Sequence, residues 1–426
     1  MTLATPLPTT RITENVQICQ FSWGDINSLI SLIDKTDVVM AIGPVLARIV
    51  HAISAPISKP TIVDTYYVPE IEQVMLELSS LKHDIDMTPV FTDDLFVYLR
   101  QGDFFVCALE KQYDFWIGAL MATGRINAKT LGKNFLVDRF IRIVPLGLPD
   151  IPPSIAQNQF KFKGVIPGIG ENDKVIYWGG GIWDWMDPIS LMEALKEVNQ
   201  VRDDVRVVFG ALRHYDKSIV AEMSVSDRLL EWINRENWLG KYVFFQDWSP
   251  YDHRGSYLMD ADLGVSLSVE TLESRYAIRT RLLDYFWASL PCVLSRGDEM
   301  ALALEKAGLA KLVAPGDVSG LAQAILLSIN DKDLRKVGKI QATPYVESLK
   351  WSNVVRPLLD YLRNPYYAED ADGARESMKE LIPLRKQWEQ LRLENEQLKA
   401  EITMMRQRKV VRIADFIGNK INRRKS

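Results

Sequence analysis

Short apolar runs alternate with longer amphipathic segments along most of this chain, and a Pro/Gly-rich stretch cuts the alternation in two. Residues 16–21, 38–42, 61–63, 104–108 and 140–144 read as strands, and the segments between them, such as 25–33 and 112–123, read as helices. Strand–helix alternation of this kind predicts βα units and a parallel sheet. Regular structure should stop at Pro145, Pro149, Pro152 and Pro153, and again in the patch from Gly164 to Gly170. Alternation then resumes with strands at 175–178, 205–209, 243–245, 263–267 and 292–294, a helix at 189–198, and a closing helix at 350–362. The expected class is α/β: two Rossmann-like, doubly wound units facing across a cleft, over residues 11–150 and 151–367. A helical appendage follows over 376–426. Residues 1–10, rich in Pro and Thr, are expected to be disordered.

A chain of 426 residues exceeds the ~100–200 residues of one ordinary domain, which agrees with that division. The net charge of −4 gives no whole-chain attraction to nucleic acid. Cys19, Cys107 and Cys292 are far apart and set in apolar runs, so free buried thiols in a reducing compartment are expected. Neither the cysteines nor His51, His83, His214 and His253 have metal-ligand spacing. The chain opens without a charged-then-apolar signal pattern, and no apolar run approaches the ~18 residues of a membrane span. A cytoplasmic location is expected, with peripheral attachment at the inner face of the plasma membrane as an added option.

The appendage carries two patterns. Leu384, Trp388, Leu391, Asn395, Leu398, Ile402 and Met405 are spaced 4, 3, 4, 3, 4, 3. An Asn at an a position fixes register in two-stranded coiled coils, so a homodimer through 384–405 is expected, with a single helix packed on its own chain as the alternative. Residues 406–426 hold eight basic side chains and one acid, Asp415. Val410, Ile413, Ile417 and Ile421 fall on one side, flanked by Lys409, Arg412, Lys420 and Arg424. A basic amphipathic helix of this kind predicts an anionic membrane surface as partner, against a solvated tail.

Two segments are suited to ligand chemistry. Gly179, Gly180 and Gly181 follow a strand, precede a helix near Pro188, and are joined to Trp183, Asp184 and Trp185. Glycines let backbone N–H groups approach a bound anion closely. The spacing is neither the dinucleotide fingerprint nor a nucleoside-triphosphate loop. The second segment runs from Glu270 to Pro291. Arg279 and Arg281 would occupy a first helical turn, where the helix dipole disfavours cations unless an anion such as a diphosphate is bound there. Asp284, one turn on, could accept from ribose hydroxyls. A local ion-pair set with Glu270 and Glu273 is the competing account of these arginines. Arg213-His214, and the cluster from Trp248 to Arg254, follow strands at the binding edge of the sheet.

On these residues the chain from about Asp37 to Pro365 resembles the bacterial nucleotide-sugar glycosyltransferases of GT-B architecture, and within them the retaining family 4. The segments that carry the resemblance are 107–120, 124–127, 144–147, the Gly179–Trp185 turn, 248–254, 279–284 and 288–291. It implies transfer of a sugar from a nucleotide-diphosphate donor to a hydroxyl of a glycan or lipid-linked acceptor, in synthesis of surface polysaccharide or glycoconjugate. It implies no cofactor and no metal. The donor would lie in the second unit, held by Gly179, Gly180, Gly181, Asp184, Arg213, Arg279, Arg281 and Asp284; the acceptor would lie in the first. The family's first motif glutamate falls at Tyr276, eight residues before Asp284, with Glu273 close by. The first unit lacks a glycine-rich loop before residue 16, as if short of its opening βα unit. Asp64, with Glu70 behind it, is its best catalytic candidate, alongside Glu273. A non-catalytic scaffold of the same fold and a nucleotide-sugar epimerase are the competing functions.

Overall fold

The computed structural model describes residues 1–6, 15–23, 25–79, 88–132, 137–155, 160–212, 223–246 and 249–422. Its first parallel sheet holds four strands: β3 (Val39–Ile42), β4 (Thr61–Asp64), β5 (Phe104–Cys107) and β6 (Ile141–Ile143), in that order across the sheet. Its second holds six: β7 (Lys174–Trp178), β8 (Val205–Phe209), β9 (Val243–Phe245), β10 (Leu263–Ser266), β11 (Cys292–Ser295) and β12 (Ala310–Val313). These are ordered β12-β11-β10-β7-β8-β9, every pair parallel. Residues 16–21 do form a strand, β2 (Gln17–Gln20), but it joins neither large sheet. It pairs with β1 (Thr2–Thr5), so residues expected to be disordered contribute a strand.

In the second sheet the chain winds outward from β7 to β9, returns to the middle, and winds out the other way from β10 to β12. The reversal puts crossover helices on both faces, because such crossovers are right-handed. Side chains alternate accordingly. Ile176 and Trp178 enter one core with Leu191, Leu195 and Leu229; Val175 and Tyr177 enter the other with Leu282 and Phe286. The order reverses between β7 and β10, and open α/β sheets bind ligands outside the carboxyl ends near such a point.

The first sheet has no reversal. Val63, Phe105, Cys107 and Ile141 face a core shared with the helices Gly43–Ile53, Thr88–Gln101 and Glu110–Ala122. The opposite face, presented by Ile62, Phe104 and Val106, is covered by the helix Arg356–Arg363, with Phe104 and Tyr361 stacked at 4.6 Å. Polar anchors hold this returning chain in place. The fully buried Asp103 carboxylate accepts from the Ala368 N–H and from Arg375, and the buried Arg125 guanidinium pairs with Asp370.

The last helix runs from Ala371 to Asn422. Its start belongs to the first unit's core, with Ala371, Met378 and Ile382 buried there. From Pro383 to Met405 every side chain the structure describes is exposed. Leu391, Asn395, Leu398, Ile402 and Met405 of the heptad are among them, while the side chains of Leu384 and Trp388, and those from Arg406 onward, lie outside the described residues. Among the described residues no helix is long and apolar enough to cross a membrane. All three cysteines are free, Cys107 and Cys292 buried.

Candidate functional site

The site in the second sheet is built first by close backbone approach. β7 ends at Trp178 and the chain turns through Gly179, Gly180 and Gly181, with Gly180 at φ 79°. Gly210 lies opposite, directly after β8. A Cβ at Gly210 would stand 2.8 Å from the Tyr177 hydroxyl and 3.0 Å from the Gly180 nitrogen. The buried Tyr285 hydroxyl pins the turn: it accepts from the Gly179 N–H at 3.2 Å and lies 2.8 Å from the Val265 carbonyl oxygen.

Arg281 supplies the charge. It is the second residue of the helix Thr280–Trp287 and only 8% exposed. Nη2 donates to the Gly181 carbonyl at 2.7 Å, and the guanidinium lies over the Trp178 ring. Among the described residues Nη1 is buried without a hydrogen-bond partner and no carboxylate pairs with the group. Burial lowers its pKa to about 10. A buried cation with an unused donor at a helix N-terminus is costly unless an anion completes it.

A cavity of 150 Å³ opens there, lined by Gly179, Gly180, Gly210, Arg254, Arg281 and Asp284 among others. Asp284 accepts from Arg254 Nε at 3.0 Å. Burial raises the Asp284 pKa, and Arg254 partly offsets that. Arg254 sits over the rings of Tyr251 (3.5 Å) and Trp287 (4.5 Å), and among the described residues its Nη2 is also buried without a partner. The cavity thus offers two cationic donors, one carboxylate acceptor and a glycine-walled turn.

Other expected donor residues stand elsewhere. Arg279 does not line the cavity: Glu273 holds both its terminal nitrogens at 2.7 Å, with both side chains buried. The ion-pair account therefore describes Arg279, while Arg281 is left without an acid. Asp184 does not line it either; it caps the helix Ser224–Arg235, accepting from the Val225 N–H at 2.7 Å and from the Ser224 hydroxyl. Arg213, His214 and Trp248 lie outside the described residues.

The two units meet around Glu273 and Arg279. Glu72, on the helix Pro69–Ser79 of the first unit, faces this pair; burial and then the Glu273 charge raise its pKa to about 7, against the Arg279 charge. Asp298 lies within the same field. It caps the helix Glu299–Lys306 through the Met300 N–H, and burial raises its pKa to about 6. Tyr276, where the family glutamate would fall, is a contact between units: its carbonyl accepts from Gln112 Nε2 at 2.8 Å and its ring meets Phe115 edge-on. Asp64 ends β4; burial raises its pKa to about 6, against the Tyr66 N–H that it accepts. Glu70 is committed to the Tyr98 hydroxyl at 2.8 Å. Among the described residues no three His, Cys, Asp or Glu side chains are grouped to hold a metal ion.

Sequence reasoning passed over Gly210, Tyr285 and Glu72, and named Arg254 only as the end of a cluster. Gly210 had a usable signal, since it follows β8 as Gly179 follows β7. Glu72 had none, because its neighbours come from the other half of the chain.

No family model matches the sequence, and no curated protein matches it. Solved structures do resemble the fold. The α,α-trehalose 6-phosphate synthase of Burkholderia multivorans superposes with a TM-score of 0.57 at 14% identity, over 79% of this chain and 72% of that one. Anabaena HepE, solved in complex with UDP and glucose, gives 0.55 at 14% identity, over 82% and 86%. WaaG, a glycosyltransferase involved in lipopolysaccharide biosynthesis, gives 0.52 at 14% identity, over 86% and 91%. At such identities the likeness shows the fold: α/β with parallel sheets, in the GT-B architecture.

Proposed function

We propose that this chain is a nucleotide-sugar-dependent glycosyltransferase. The observation that carries the reading is Arg281, a buried guanidinium with no acid partner and an unpartnered Nη1 beside a glycine turn. In the proposed reaction the bond from the anomeric carbon to the diphosphate oxygen breaks. An acceptor hydroxyl oxygen bonds to that carbon and loses its proton, and the nucleoside diphosphate leaves. Charge builds on the departing diphosphate, so fixed cationic donors there favour the transition state over the ground state. Arg281, Arg254 and the N–H groups of the glycine turn fill that role, and Asp284 takes the ribose hydroxyls. HepE has been solved with UDP and with UDP-glucose, which makes UDP the first nucleotide to test.

The finer reading follows the family resemblance. Transfer proceeds with retention, without a metal, onto a glycan or lipid-linked acceptor of a surface polysaccharide or glycoconjugate. Asp64 faces the acceptor from the first unit. Two copies pair through 384–405, and the basic tail 406–426 meets an anionic membrane surface. One observation favours a scaffold instead: Glu273 and Arg279 saturate each other, leaving neither for substrate.

The test is a thermal-shift screen of nucleoside diphosphates and nucleotide sugars on wild type and Arg281→Ala. Ligand at 100 times Kd stabilises by about 2.7 kcal/mol. A shift lost in the variant, followed by donor turnover that needs an acceptor, supports the transferase. Binding without turnover supports the scaffold. No shift with any nucleotide, in a well-folded sample, sinks the donor site and leaves the scaffold.

A further inference from the structure

A groove of 620 Å³ lies at the Trp287 end of the helix Thr280–Trp287, the other end from Arg281. It runs between the connection Pro149–Pro153, the end of the Thr280–Trp287 helix, and the helix Leu334–Ser348. Its wall carries Lys332, Arg335, Lys336, Lys339 and Lys350, against Asp150 and Glu347 alone. Both acids are engaged, Glu347 by Lys350 at 2.7 Å and Asp150 by the Ser352 hydroxyl. Lys332, Lys336 and Lys339 are exposed and have no carboxylate partner among the described residues. Lys336 and Lys339 are three apart, so both ammonium groups reach the same side of their helix. A concentration of unpaired positive charge is notable on a chain whose net charge is −4.

The floor of the groove is built for a ligand with two characters. Arg335 is fixed at its back, donating to the carbonyls of Leu258, Met259 and Ala261 at the end of one helix and of Ala288 at the end of another, and to the Met259 sulfur. Those contacts hold its terminal nitrogens, with Asp262 as a nearby charge but no ion pair among the described residues. Ser289 is 7% exposed and lines the groove, and its hydroxyl makes no hydrogen bond among the described residues. It holds φ 48°, a left-handed conformation that costs a non-glycine residue strain. Trp287, Met259 and Pro152 supply an apolar wall beside these polar groups. Trp287 also connects the groove to both neighbours: its Nε1 donates to the Ile151 carbonyl in the connection, and Arg254 of the glycine-turn cavity rests on its ring.

We infer that this groove is a second anion site, taking a phosphate-bearing ligand whose apolar portion lies on Trp287. Unpaired lysines and a serine hydroxyl are donors without acceptors, which is the complement of a phosphate ester. A soluble phosphate ester and an anionic lipid headgroup share that chemistry. The inference does not depend on the proposed donor site.

The full-length chain, with UDP present in excess, is titrated calorimetrically with inorganic pyrophosphate. It is also co-sedimented with phosphatidylcholine vesicles with and without phosphatidylglycerol. Lys336→Glu with Lys339→Glu is compared with wild type, the basic tail being common to both. The expected result is a loss of about tenfold or more in affinity, since each lysine near an anionic surface contributes about 1 kcal/mol. Loss in the pyrophosphate arm assigns a soluble phosphate ester; loss in the vesicle arm assigns a lipid headgroup. Unchanged affinity in both arms overturns the inference. If the charge reversal disturbs the fold, Lys336→Gln with Lys339→Gln carries the same test, and unchanged affinity there overturns it equally.

Discussion

The six-stranded sheet reverses its winding at β7, whereas the four-stranded sheet runs from β3 to β6 without turning back. Reversal gives the second unit helices on both faces, and its cavity opens at the carboxyl ends of β7, β8 and β9, all from one continuous stretch of chain. Among the described residues the first unit's own helices before the linker pack on one face. Its other face is closed by a helix that arrives more than two hundred residues later. One unit is thus covered by local sequence and the other by the return of the C-terminus. Half-wound α/β units can be completed from a distance, but their stability then depends on a few long-range contacts.

The first unit's dependence on the returning helix rests on that long-range contact. Tyr361→Ala removes the ring stacked on Phe104, and large-to-small changes of buried aromatics cost about 3–5 kcal/mol. Chemical denaturation followed by near-UV signals should show the first unit melting earlier, as a separate phase. A single unshifted transition would mean that this face does not need the returning helix. Next in size is Arg281→Ala. Losing a charged donor from a diphosphate should weaken nucleoside diphosphate binding about a hundredfold, near 2.7 kcal/mol, by calorimetry. The melting temperature of the ligand-free protein should hold or rise, because a buried charge with no carboxylate partner among the described residues has been removed.

Glu72 lies where the units meet. Its pKa is raised to about 7 from an ordinary 4.5, so the folded protein holds a proton that the unfolded chain has already released. Between those values stability falls as pH rises, and the penalty is complete above about 7. Stability should therefore increase from pH 7.5 towards about 5, and Glu72→Gln should flatten that slope by on the order of 2 kcal/mol. Asp298 adds a smaller trend of the same sign. Equal slopes in variant and wild type would remove Glu72 from the interface. Gly210→Ala sets a Cβ against the Gly180 nitrogen and should cost about tenfold in nucleotide affinity, or 1.4 kcal/mol. Smallest is Met40→Lys. Met40 pairs with Ile62 across β3 and β4 yet is 46% exposed, so denaturation should move by less than about 0.5 kcal/mol.

Much of the second unit was legible in sequence because its determinants are close together along the chain. β7, the three glycines and the helix carrying Arg281 and Asp284 each declare themselves by local pattern. What could not be read was which arginine is free. Arg279 and Arg281 are two residues apart and chemically identical, and only packing decides that Glu273 takes the first and not the second. Asp184 misled for the same reason: it sits in the glycine turn, yet its side chain reaches a helix some forty residues on. The strand at 17–20 was recognised, but its partner, β1, was hidden in a Pro/Thr-rich start.

Taken alone, the sequence determined the periodic part of this protein: parallel α/β units, a break near the prolines, a glycine-walled turn, and a helical end with a heptad. These follow from apolar spacing and backbone freedom, which act over a few residues. The tertiary structure decided the rest. It joined Tyr361 to Phe104 and Asp370 to Arg125, set Glu72 against Glu273, and left Arg281 unpaired while pairing Arg279. Electrostatic and packing partners are chosen by distance in space, and no local spacing encodes a neighbour that the chain reaches only after folding.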